Sequence, residues 1–456
     1  MTQQNQALVI GGGVSGLVCG HALKKAGIDV LVVDAAPHPG GVIESELQDG
    51  FLIERGPQSF SGTPQLSALC DELGLRDETV LAPASAPRYV LINGSRRGGS
   101  LRRVPSNPVE FFASPLFSAK TKWSVLRDAK GKSQPPNEDE SVADFVLRKF
   151  TPQLLEQLVG PFVSGIFAGD PEKLSLAAAF PQIYEAEKNA GSVIRGLLKQ
   201  RKEGRRTLQS FRRGNVVLTR TIAEKLGGSL RLGTQAIEIR KQNGGYIVRV
   251  ITNGQPEEIQ TEHLICATPA KASQQLLSQI DPEFAKTFSA MEYAAVAVVS
   301  LGYRIEDVGH SLEGFGFLAP RAAGLRILGT VWNSSLFAGR APTGHILVTS
   351  FVGGVLDPDA ASLSASELTS LVHSEIAGIL NIKQRPVFSS VTAWPPAIPQ
   401  YNLGHGERLR SLELLRERHA GLWLTGNYLN GPSIGGCVQH ALLVASNVRN
   451  ALQRIE

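Results

Sequence analysis

The residues best suited to chemistry lie near the N-terminus, where six residues with four glycines are followed by an acid. Gly11-Gly12-Gly13-Val14-Ser15-Gly16 fits the pattern G-x-G-x-x-G, directly after the apolar run Ala7–Ile10. In such a turn the first glycine makes the bend, the second admits a pyrophosphate and the third lets the helix pack on the strand. The helix N-terminus offers N–H groups and a positive dipole to phosphates. This pattern predicts a dinucleotide site.

An acid completes the pattern. Asp34 stands at the end of the second strand, Asp29–Val33, 18 residues after Gly16. A carboxylate at this distance is expected to accept the ribose hydroxyls of the dinucleotide. The strand, the helix, the second strand and the acid therefore follow one another at the spacing of a dinucleotide-binding motif. This spacing favours a site with a bound ligand over a glycine turn that binds nothing.

Two further glycine segments favour FAD over NAD. Gly40-Gly41 follows Asp34 within one short loop, and the stretch from Gly426 to Gly436 precedes the last helix. A helix N-terminus there could face the flavin ring, where negative charge develops on reduction. The sequence holds no second G-x-G-x-x-G, so no nicotinamide site is expected. Electrons must then leave the flavin by another route, most simply to dioxygen.

The remaining composition argues against other classes of chemistry. The sequence shows no serine–histidine–acid set, no paired carboxylates and no spacing of metal ligands, and its nine histidines are scattered. We therefore assign no protein acid or base, no metal, and a structural or exposed place to each histidine. The four cysteines are far apart without a C-x-x-C pair, which fits a reducing, cytoplasmic compartment. We expect no signal peptide and no membrane-spanning helix.

Charge is mild overall but uneven. The 46 Lys and Arg against 41 Asp and Glu leave 46 − 41 = +5. Between Arg88 and Lys132, ten basic residues stand against Glu110 and Asp128, with Phe, Leu and Trp interleaved. Such a stretch suits an anionic ligand, a membrane surface, nucleic acid or a merely solvated face. We expect no nucleic-acid partner.

The order of elements predicts an α/β protein with a discontinuous cofactor domain. We expect a strand over Leu47–Glu54, a hairpin turn at Asn93-Gly94, a linker at Lys130–Glu140 and an exposed charge run at Arg201–Arg206. Helices are expected at Thr63–Leu73, at Val216–Leu226, at Ser364–Leu380 with a capping box, and at the end of the chain. The further strands that we expect are Leu230–Leu232, Ala236–Arg240, Tyr246–Ile251, His263–Ala267, Met291–Tyr303, Ile327–Val331, Ile346–Phe351 and Leu422–Thr425.

These pieces resemble the amine oxidase and phytoene desaturase superfamily, and within it the protoporphyrinogen/coproporphyrinogen oxidase family. The resemblance spans nearly the whole chain. It is carried by Gly40-Gly-Val-Ile-Glu-Ser45, Asp49-Gly-Phe51, Glu54-Arg-Gly-Pro-Gln-Ser-Phe60, the segment from Pro161 to Ser175, Leu312-Glu-Gly-Phe-Gly-Phe-Leu318, Ile398-Pro-Gln-Tyr-Asn-Leu-Gly-His405, Gly426-Asn-Tyr428 and Gly435-Gly-Cys-Val438.

The resemblance implies a Rossmann-like FAD-binding domain over 1–87, 211–275 and 391–456. A mostly helical region that contacts substrate and membrane would cover 88–210, and a β-rich part of a mixed α+β substrate domain would cover 276–390. It implies oxygen-dependent oxidation of protoporphyrinogen IX to protoporphyrin IX in haem biosynthesis. Three hydride transfers to flavin N5 would release H₂O₂. A peripheral membrane contact and a homodimer are both compatible with the sequence.

The resemblance also implies site residues. For substrate, Arg88 would pair a propionate, Gly165 would approach the pyrrole nitrogens, and Leu318, Val331 and Phe351 would form apolar walls. An arginine fork suits a carboxylate. The cofactor residues would be Gly11, Gly12, Gly13, Val14, Ser15, Gly16, Asp34, Gly40, Gly41, Val42, Gly56, Pro57, Gln58, Ser59, Ala236, Trp394, Pro432, Ser433 and Ile434. Cys437 lies close by, but the family holds FAD without a covalent bond.

The chain departs from the family at two places. Asp34 stands where glutamate is commoner, and the stretch Ala113–Asp139 reads as shorter and more loop-like than the family's membrane-contacting region. Alternatives on the same scaffold are oxidation of coproporphyrinogen III to coproporphyrin III, for which the Arg96–Arg103 cluster could add cations, an amine oxidase or carotenoid desaturase, and a non-catalytic binding protein. The last would have lost flavin-contacting glycines, which this chain keeps.

Overall fold

The computed structural model describes residues 3–95, 98–200, 207–242 and 244–453. Its strands are, in chain order, β1 Gln3–Ile10, β2 Val30–Val33, β3 Ser45–Gln48, β4 Phe51–Glu54, β5 Phe60–Ser61, β6 Thr79–Leu81, β7 Arg88–Ser95, β8 Gly98–Arg103, β9 Leu208–Phe211, β10 Leu230–Arg231, β11 Thr234–Gln242, β12 Gly245–Thr252, β13 Gln255–Cys266, β14 Tyr293–Arg304, β15 Gly316–Leu318, β16 Ile327–Val331, β17 His345–Gly353, β18 Phe388–Pro399 and β19 Leu422–Leu424.

The helices alternate with these strands at both ends of the chain and dominate its second quarter. They are α1 Val14–Lys25, α2 Pro64–Glu72, α3 Pro108–Ala113, α4 Ala119–Lys130, α5 Val142–Lys149, α6 Pro152–Leu154, α7 Gly160–Phe167, α8 Leu176–Ala179, α9 Pro181–Ala190, α10 Val193–Gln200, α11 Val216–Leu226, α12 Ala270–Leu277, α13 Glu283–Ser289, α14 Asn333–Leu336, α15 Ala365–Leu380, α16 His405–Glu417 and α17 Ile434–Leu452. Within the described ranges, no helix is long and apolar enough to cross a membrane.

The first large sheet joins distant parts of the chain. Its order is β10-β2-β1-β13-β12-β11, with β19 beside β13. Strands β10, β2, β1, β13 and β19 run parallel, whereas β11 and β12 are antiparallel. The sheet is complete only when the N-terminal β1 and the C-terminal β19 both pair with β13. The fold is therefore the predicted α/β class with a discontinuous sheet, while the exact domain boundaries stay a prediction.

Helices cover both faces of this sheet. Alternate residues of β1 serve opposite cores: Val9 packs with α1, α11 and α17, and Leu8 packs with α12, α13 and α16. A sheet that is covered on both faces needs apolar side chains at every position. This explains why β1 and β2 are continuous apolar runs and why the sequence predicted them readily.

The second large sheet has the order β18-β14-β17-β16-β15-β7-β8. Helix α15 covers one face, where Val372 packs with Leu91 and Val299. Helix α7 covers part of the other, where Val163 and Phe167 pack with Val90. Adjacent residues of a strand point to opposite faces, so Leu91 belongs to the core under α15 and Val90 belongs to the core under α7.

Several local predictions are confirmed and others are wrong. Helices α11 and α15 lie where expected, and Ser364 and Glu367 form the capping box. The segment Leu47–Glu54 is a hairpin, β3 and β4, because Asp49 and Gly50 both adopt positive φ and reverse the chain.

The Asn93-Gly94 pair is inside β7 rather than at its end. The register between β7 and β8 shifts between Ile92 and Ser95, so the pair forms a bulge, and the strands connect two residues later. The stretch Ala113–Asp139 contains the 12-residue helix α4, so its loop-like reading was wrong. Arg96, Arg97 and the charge run Arg201–Arg206 lie outside the described residues.

The segment Lys130–Glu140 is irregular after the end of α4, as expected, but hydrogen bonds fasten it. Asp139 accepts from the Ser175 hydroxyl at 2.6 Å and from the Gly404 N–H at 2.8 Å. Glu140 accepts two hydrogen bonds from Arg148 at 2.7 and 2.8 Å. These hydrogen bonds connect the segment to the helical region and to the start of α16, so it is not a free linker.

Glu187 is the centre of a charge cluster in the helical region. Its side chain is fully buried and lies 2.9 Å from Arg148 and 3.2 Å from Lys149. Burial raises the pKa of Glu187, but hydrogen bonds from Arg148 and Ser133 and the charge of Lys149 outweigh burial and hold the pKa at about 2. The carboxylate is therefore ionised and links α9 to α5.

We expect Glu187→Gln to lower the free energy of unfolding at pH 7 by about 2 kcal/mol. Breaking a buried pair costs about 3–5 kcal/mol when a charge is left alone, and here both cations keep a second carboxylate. Because the native pKa lies below the ordinary value of 4.5, the wild-type contribution is present above pH 4.5 and is lost as pH falls towards 2. Denaturant unfolding at pH 7 and at pH 3 measures the free energies of unfolding of the wild type and of Glu187→Gln. The difference between the two proteins should be smaller at pH 3.

The control is Glu185→Gln on the same helix. The Glu185 side chain is 45 % exposed and pairs with Lys188 at 3.8 Å. Exposed pairs contribute about 0–1 kcal/mol, so this variant should unfold like the wild type. Equal stability of the two variants at pH 7 would contradict the role given to Glu187.

Candidate active site

The glycine turn after β1 has the geometry that a bound pyrophosphate needs. Gly11 adopts φ +114°, and a Cβ on Gly16 would lie 1.8 Å from the Gly11 carbonyl oxygen. A Cβ on Gly13 would meet nothing within 4 Å, so this position opens onto free space at the start of α1. The residues after Gly13 present a helix N-terminus without a side-chain cap. Phosphate oxygens are suited to both features.

The Gly40-Gly41 turn lies against the first one. The Gly40 N–H donates to the Gly12 carbonyl at 2.8 Å, and Gly40 and Gly41 both have positive φ. A Cβ on Gly41 would come within 3.3 Å of the Gly13 Cα, and one on Gly56 within 1.9 Å of the Val42 carbonyl oxygen. The three predicted glycine segments therefore pack backbone to backbone.

Asp34 and Ala236 line one cavity of about 380 Å³, together with Gly11, Thr234, Gln235, Thr268 and Pro269. Asp34 accepts hydrogen bonds from the Gly12 N–H and, at 2.6 Å, from the Ala36 N–H. The shorter acid thus also fixes the glycine turn. The spacing after the glycines predicted Asp34 at this end of the dinucleotide, and the family resemblance predicted Ala236, although the two are 202 positions apart. The structure therefore brings together the two residues that are expected at the adenosine end of FAD.

A buried ion pair supports the next predicted segment. Glu54 and Arg340 are each 2 % exposed, and their side chains lie 3.2 Å apart. Glu54 also accepts from the Ser45 hydroxyl at 2.5 Å and from the Asn215 N–H at 3.0 Å. Burial raises the pKa of Glu54 to about 7 against the lowering effect of Arg340. The pair joins β4 to the turn before β17.

The segment Gly56–Ser59, which follows this pair, is held by side-chain amides at the starts of two helices, Asn215 directly before α11 and Asn333 in α14. The Asn215 side chain donates to the Pro57 carbonyl at 2.8 Å, and the Asn333 side chain donates to Gln58 at 2.7 Å. Gln58 itself donates to the carbonyl oxygens of Glu54 and Gly56. From β18, the Trp394 indole donates to the Arg55 carbonyl at 2.7 Å. Trp394 therefore contacts the residue directly before the predicted flavin segment, and its place at the flavin itself stays a prediction.

The last predicted segment, Pro432–Ile434, leads into α17. The Ser433 side chain caps this helix by accepting from the Gly436 N–H at 3.1 Å. Cys437 is buried, and burial raises the pKa of its thiol to about 11, so the thiol is protonated at neutral pH. A protonated, buried thiol is a poor nucleophile, which agrees with FAD held without a covalent bond.

The second sheet presents the predicted substrate residues on one face. Arg88 pairs with Gly316, which pairs with Val331, and Leu318 pairs with Gly329, which pairs with Phe351. Paired residues, and residues two apart in a strand, share a face. The structure therefore brings Arg88, Leu318, Val331 and Phe351 together across β7, β15, β16 and β17.

The fifth substrate residue approaches from α7. A Cβ on Gly165 would lie 2.5 Å from a methyl carbon of Leu318, so a larger residue would push into this wall. Val331 and Phe351 belong to an apolar cluster with Phe337 and Phe315. Helix α7 therefore contacts the sheet face that carries the predicted substrate residues.

Arg88 is the cation of this face. Its guanidinium lies 5.4 Å from the centre of the Phe315 ring, and the surrounding protein lowers its pKa through loss of water. The residue is nevertheless exposed, and no carboxylate of the described chain forms an ion pair with it. An arginine that stands over an aromatic ring in an open recess is available to an anionic ligand.

Sequence reasoning missed the residues that hold the site. Arg340 stands between Gly339 and Pro342, which is the signature of an exposed turn, and its partner Glu54 is 286 positions away. Asn215 and Asn333 carry no local signal either. Among the described residues no group of three or more His, Cys, Asp or Glu side chains could hold a metal ion.

Fold and site together define a flavoprotein oxidoreductase of the Rossmann-like class. A family model described as flavin containing amine oxidoreductase matches residues 14–449. Protoporphyrinogen oxidase 1, chloroplastic, of Arabidopsis thaliana is 33 % identical over 489 residues, covering 99 % of this chain and 89 % of that protein. Coproporphyrinogen III oxidase of Bacillus subtilis (strain 168) is 28 % identical over 468 residues, covering 97 % and 98 %.

A solved structure agrees in fold. A crystal structure from Exiguobacterium sp. 255-15, provisionally named protoporphyrinogen oxidase, superposes with a TM-score of 0.81 at 24 % identity over 99 % of both chains. The chain belongs to the flavin-containing amine oxidoreductase family, in the group of protoporphyrinogen and coproporphyrinogen III oxidases. It is an FAD-dependent oxidase.

We expect Gly13→Ala to raise the dissociation constant of FAD at least about tenfold while leaving the apoprotein stable. The residue has φ −70° and ψ 175°, which alanine adopts freely, and its Cβ would meet no protein atom. The methyl group would instead occupy the space expected for the pyrophosphate. Titration of apoprotein with FAD, followed by flavin fluorescence, measures the constant.

The matched control is Gly228→Ala, in the turn after α11, where a Cβ also meets nothing within 4 Å. It should bind FAD like the wild type. Unchanged affinity of Gly13→Ala, with both apoproteins folded, would remove the glycine turn from the cofactor site.

Proposed function

We propose that the chain oxidises protoporphyrinogen IX to protoporphyrin IX and that electrons pass to dioxygen. The observation that carries the proposal is the single face of β7, β15, β16 and β17, on which Arg88 offers a cation above an apolar surface. A porphyrinogen has the matching chemistry, an apolar macrocycle with propionates at one edge. Its oxidation removes six electrons and six protons in three equal steps. The bound FAD supplies the two-electron acceptor for each step.

The chain's own contribution is binding, orientation and exclusion of water. Arg88 would pair one propionate, with the Phe315 ring keeping the guanidinium over the apolar wall. Gly165 and Leu318 contact each other, so together they would close one side of the substrate site. No acidic or basic side chain of the chain is assigned a proton-transfer role, because an aromatising substrate loses its pyrrole protons readily.

The apolar wall favours protoporphyrinogen over coproporphyrinogen III, which has two more carboxylates to place. Leu318, Val331 and Phe351 are apolar, and Arg88 lies at the edge of the wall that they form. A second arginine, Arg102, pairs with Val90 on the edge strand β8 and is exposed. It is the residue that a more anionic substrate would use.

Assays of the FAD-loaded protein with both porphyrinogens test the proposal. We expect kcat/KM to be at least about tenfold higher for protoporphyrinogen, with one H₂O₂ formed for each pair of electrons. A higher kcat/KM for coproporphyrinogen III would show that this alternative is the substrate. If the protein oxidised neither porphyrinogen, the proposed function would be refuted. Under anaerobic conditions turnover should stop after one reduction of the flavin.

We expect Arg88→Ala to raise KM for protoporphyrinogen about 10- to 100-fold, with FAD content unchanged. A hydrogen bond to a charged group contributes about 1.5–3 kcal/mol, which corresponds to this range. Arg304→Ala, at the exposed end of β14 in the same sheet, is the control and should keep the wild-type KM. An unchanged KM in Arg88→Ala would exclude Arg88 from the substrate site.

We also propose a peripheral contact of the helical region with an anionic membrane. Large apolar side chains are exposed there: Val109 is 79 % exposed, Trp123 65 % and Phe162 41 %. Lys120 and Lys122 flank Trp123 on α4. Apolar side chains among cations favour the interface of anionic lipid.

Flotation with anionic and with neutral liposomes tests this contact. The wild type should float with anionic vesicles, and Trp123→Ala should float less without loss of FAD. Protein that stays at the bottom of the gradient with both kinds of vesicle would refute the contact.

A further inference from the structure

The loop 426–431 lies between β19 and α17 and leads into Pro432, Ser433 and Ile434. It begins and ends with glycine: Gly426 has φ +155° and Gly431 has φ +94°. Glycines let a backbone approach a ligand, but they give the chain no side chain with which to pack. Tyr428 anchors the middle of the loop in the core, where it is fully buried, so it is the two glycine ends that need support from outside the loop.

Tyr401 supplies this support. Its hydroxyl oxygen accepts from the Gly431 N–H at 2.7 Å, and its O–H donates to the Asn427 carbonyl. One hydroxyl thus bridges both ends of the loop. Burial raises the pKa of Tyr401 above its ordinary value, so the O–H keeps its proton and can donate and accept at once.

The Tyr401 ring is itself fixed. The residue is 2 % exposed, and its ring stacks on that of His405 with centroids 4.3 Å apart and planes 14° from parallel. Phe167, at the end of α7, packs against the same ring at 5.9 Å. The Tyr401 carbonyl accepts from the Ser175 N–H at 2.8 Å. The tyrosine therefore contacts α7, which carries Gly165, as well as the loop.

We propose that Tyr401 is a positioning residue for FAD: its hydroxyl holds the loop 426–431 so that Pro432–Ile434 and the start of α17 face the flavin. The inference goes beyond the proposed function, because it concerns the cofactor and not the substrate. It requires that the chain binds FAD, as its family does, and that Pro432–Ile434 lie at the flavin, as the family resemblance implies.

Tyr401→Phe is the test, since it removes the hydroxyl and keeps the ring that stacks on His405. The control is Tyr246→Phe, another tyrosine that is 2 % exposed and donates to a backbone carbonyl, that of Ala420 at 2.9 Å. Tyr246 lies on β12, and its hydroxyl contacts neither the loop nor the glycine turn. Both variants lose a buried hydroxyl, so both should show a similar fall of a few degrees in Tm.

Only Tyr401→Phe should change the bound flavin. We expect its FAD dissociation constant to rise about tenfold, the visible absorption and circular dichroism of its bound flavin to shift, and hydrogen exchange of the Gly431 amide to accelerate in the apoprotein. Tyr246→Phe should match the wild type in all three measurements.

Two outcomes would overturn the proposal: a Tyr401→Phe variant with wild-type FAD affinity and spectrum, or one whose changes Tyr246→Phe reproduces. None of these measurements uses a porphyrinogen. A protein that oxidises no porphyrinogen but responds in this way would refute the proposed function and leave the role of Tyr401 intact.

Discussion

The candidate site depends most on the buried ion pair of Glu54 and Arg340, which joins strand β4, just before the predicted flavin segment, to the loop that leads into β17. Both side chains are 2 % exposed, and the Leu52 N–H also donates to the Arg340 carbonyl at 3.1 Å. A charge without water must keep its partner, and breaking a buried pair costs about 3–5 kcal/mol. The pair therefore ties the flavin segment after Glu54 to β17, the predicted substrate strand that follows Arg340.

Local signals in the sequence were sufficient for much of the fold. The glycine turn, β1, β2 and α11 could be predicted because each depends on neighbours within a few residues. Strand β18 and helix α16 were missed. Strand β18 contains Trp394-Pro-Pro, and proline lacks the N–H that a ladder needs, so the segment did not read as a strand. It is tolerated because β18 lies at the edge of its sheet.

The candidate site divides in the same way. Residues that would touch the dinucleotide follow from the spacing of glycines and an acid, but those that hold them do not. Glu54 and Arg340 meet only through the tertiary fold. The substrate face depended on resemblance, because β-strand register decides whether Arg88, Val331 and Phe351 share a face. A slip of one residue in β16 would turn Val331 to the α15 side, and the sequence of β16 alone does not exclude it.

A common physical rule connects these observations. Glycine makes room for a ligand to approach the backbone, but in doing so it removes the side chain that would anchor that backbone in the core. Each segment near the expected cofactor is accordingly held through its backbone by a side chain from elsewhere. Asp34 accepts from the Gly12 N–H, Asn215 donates to the Pro57 carbonyl, and Tyr401 accepts from the Gly431 N–H. All three are fixed in turn, since Asp34 also accepts from the Ala36 N–H, Asn215 accepts from the Ser210 hydroxyl, and Tyr401 stacks on His405. Because these anchors come from both ends and the middle of the chain, the cofactor site can form only when the whole fold is complete.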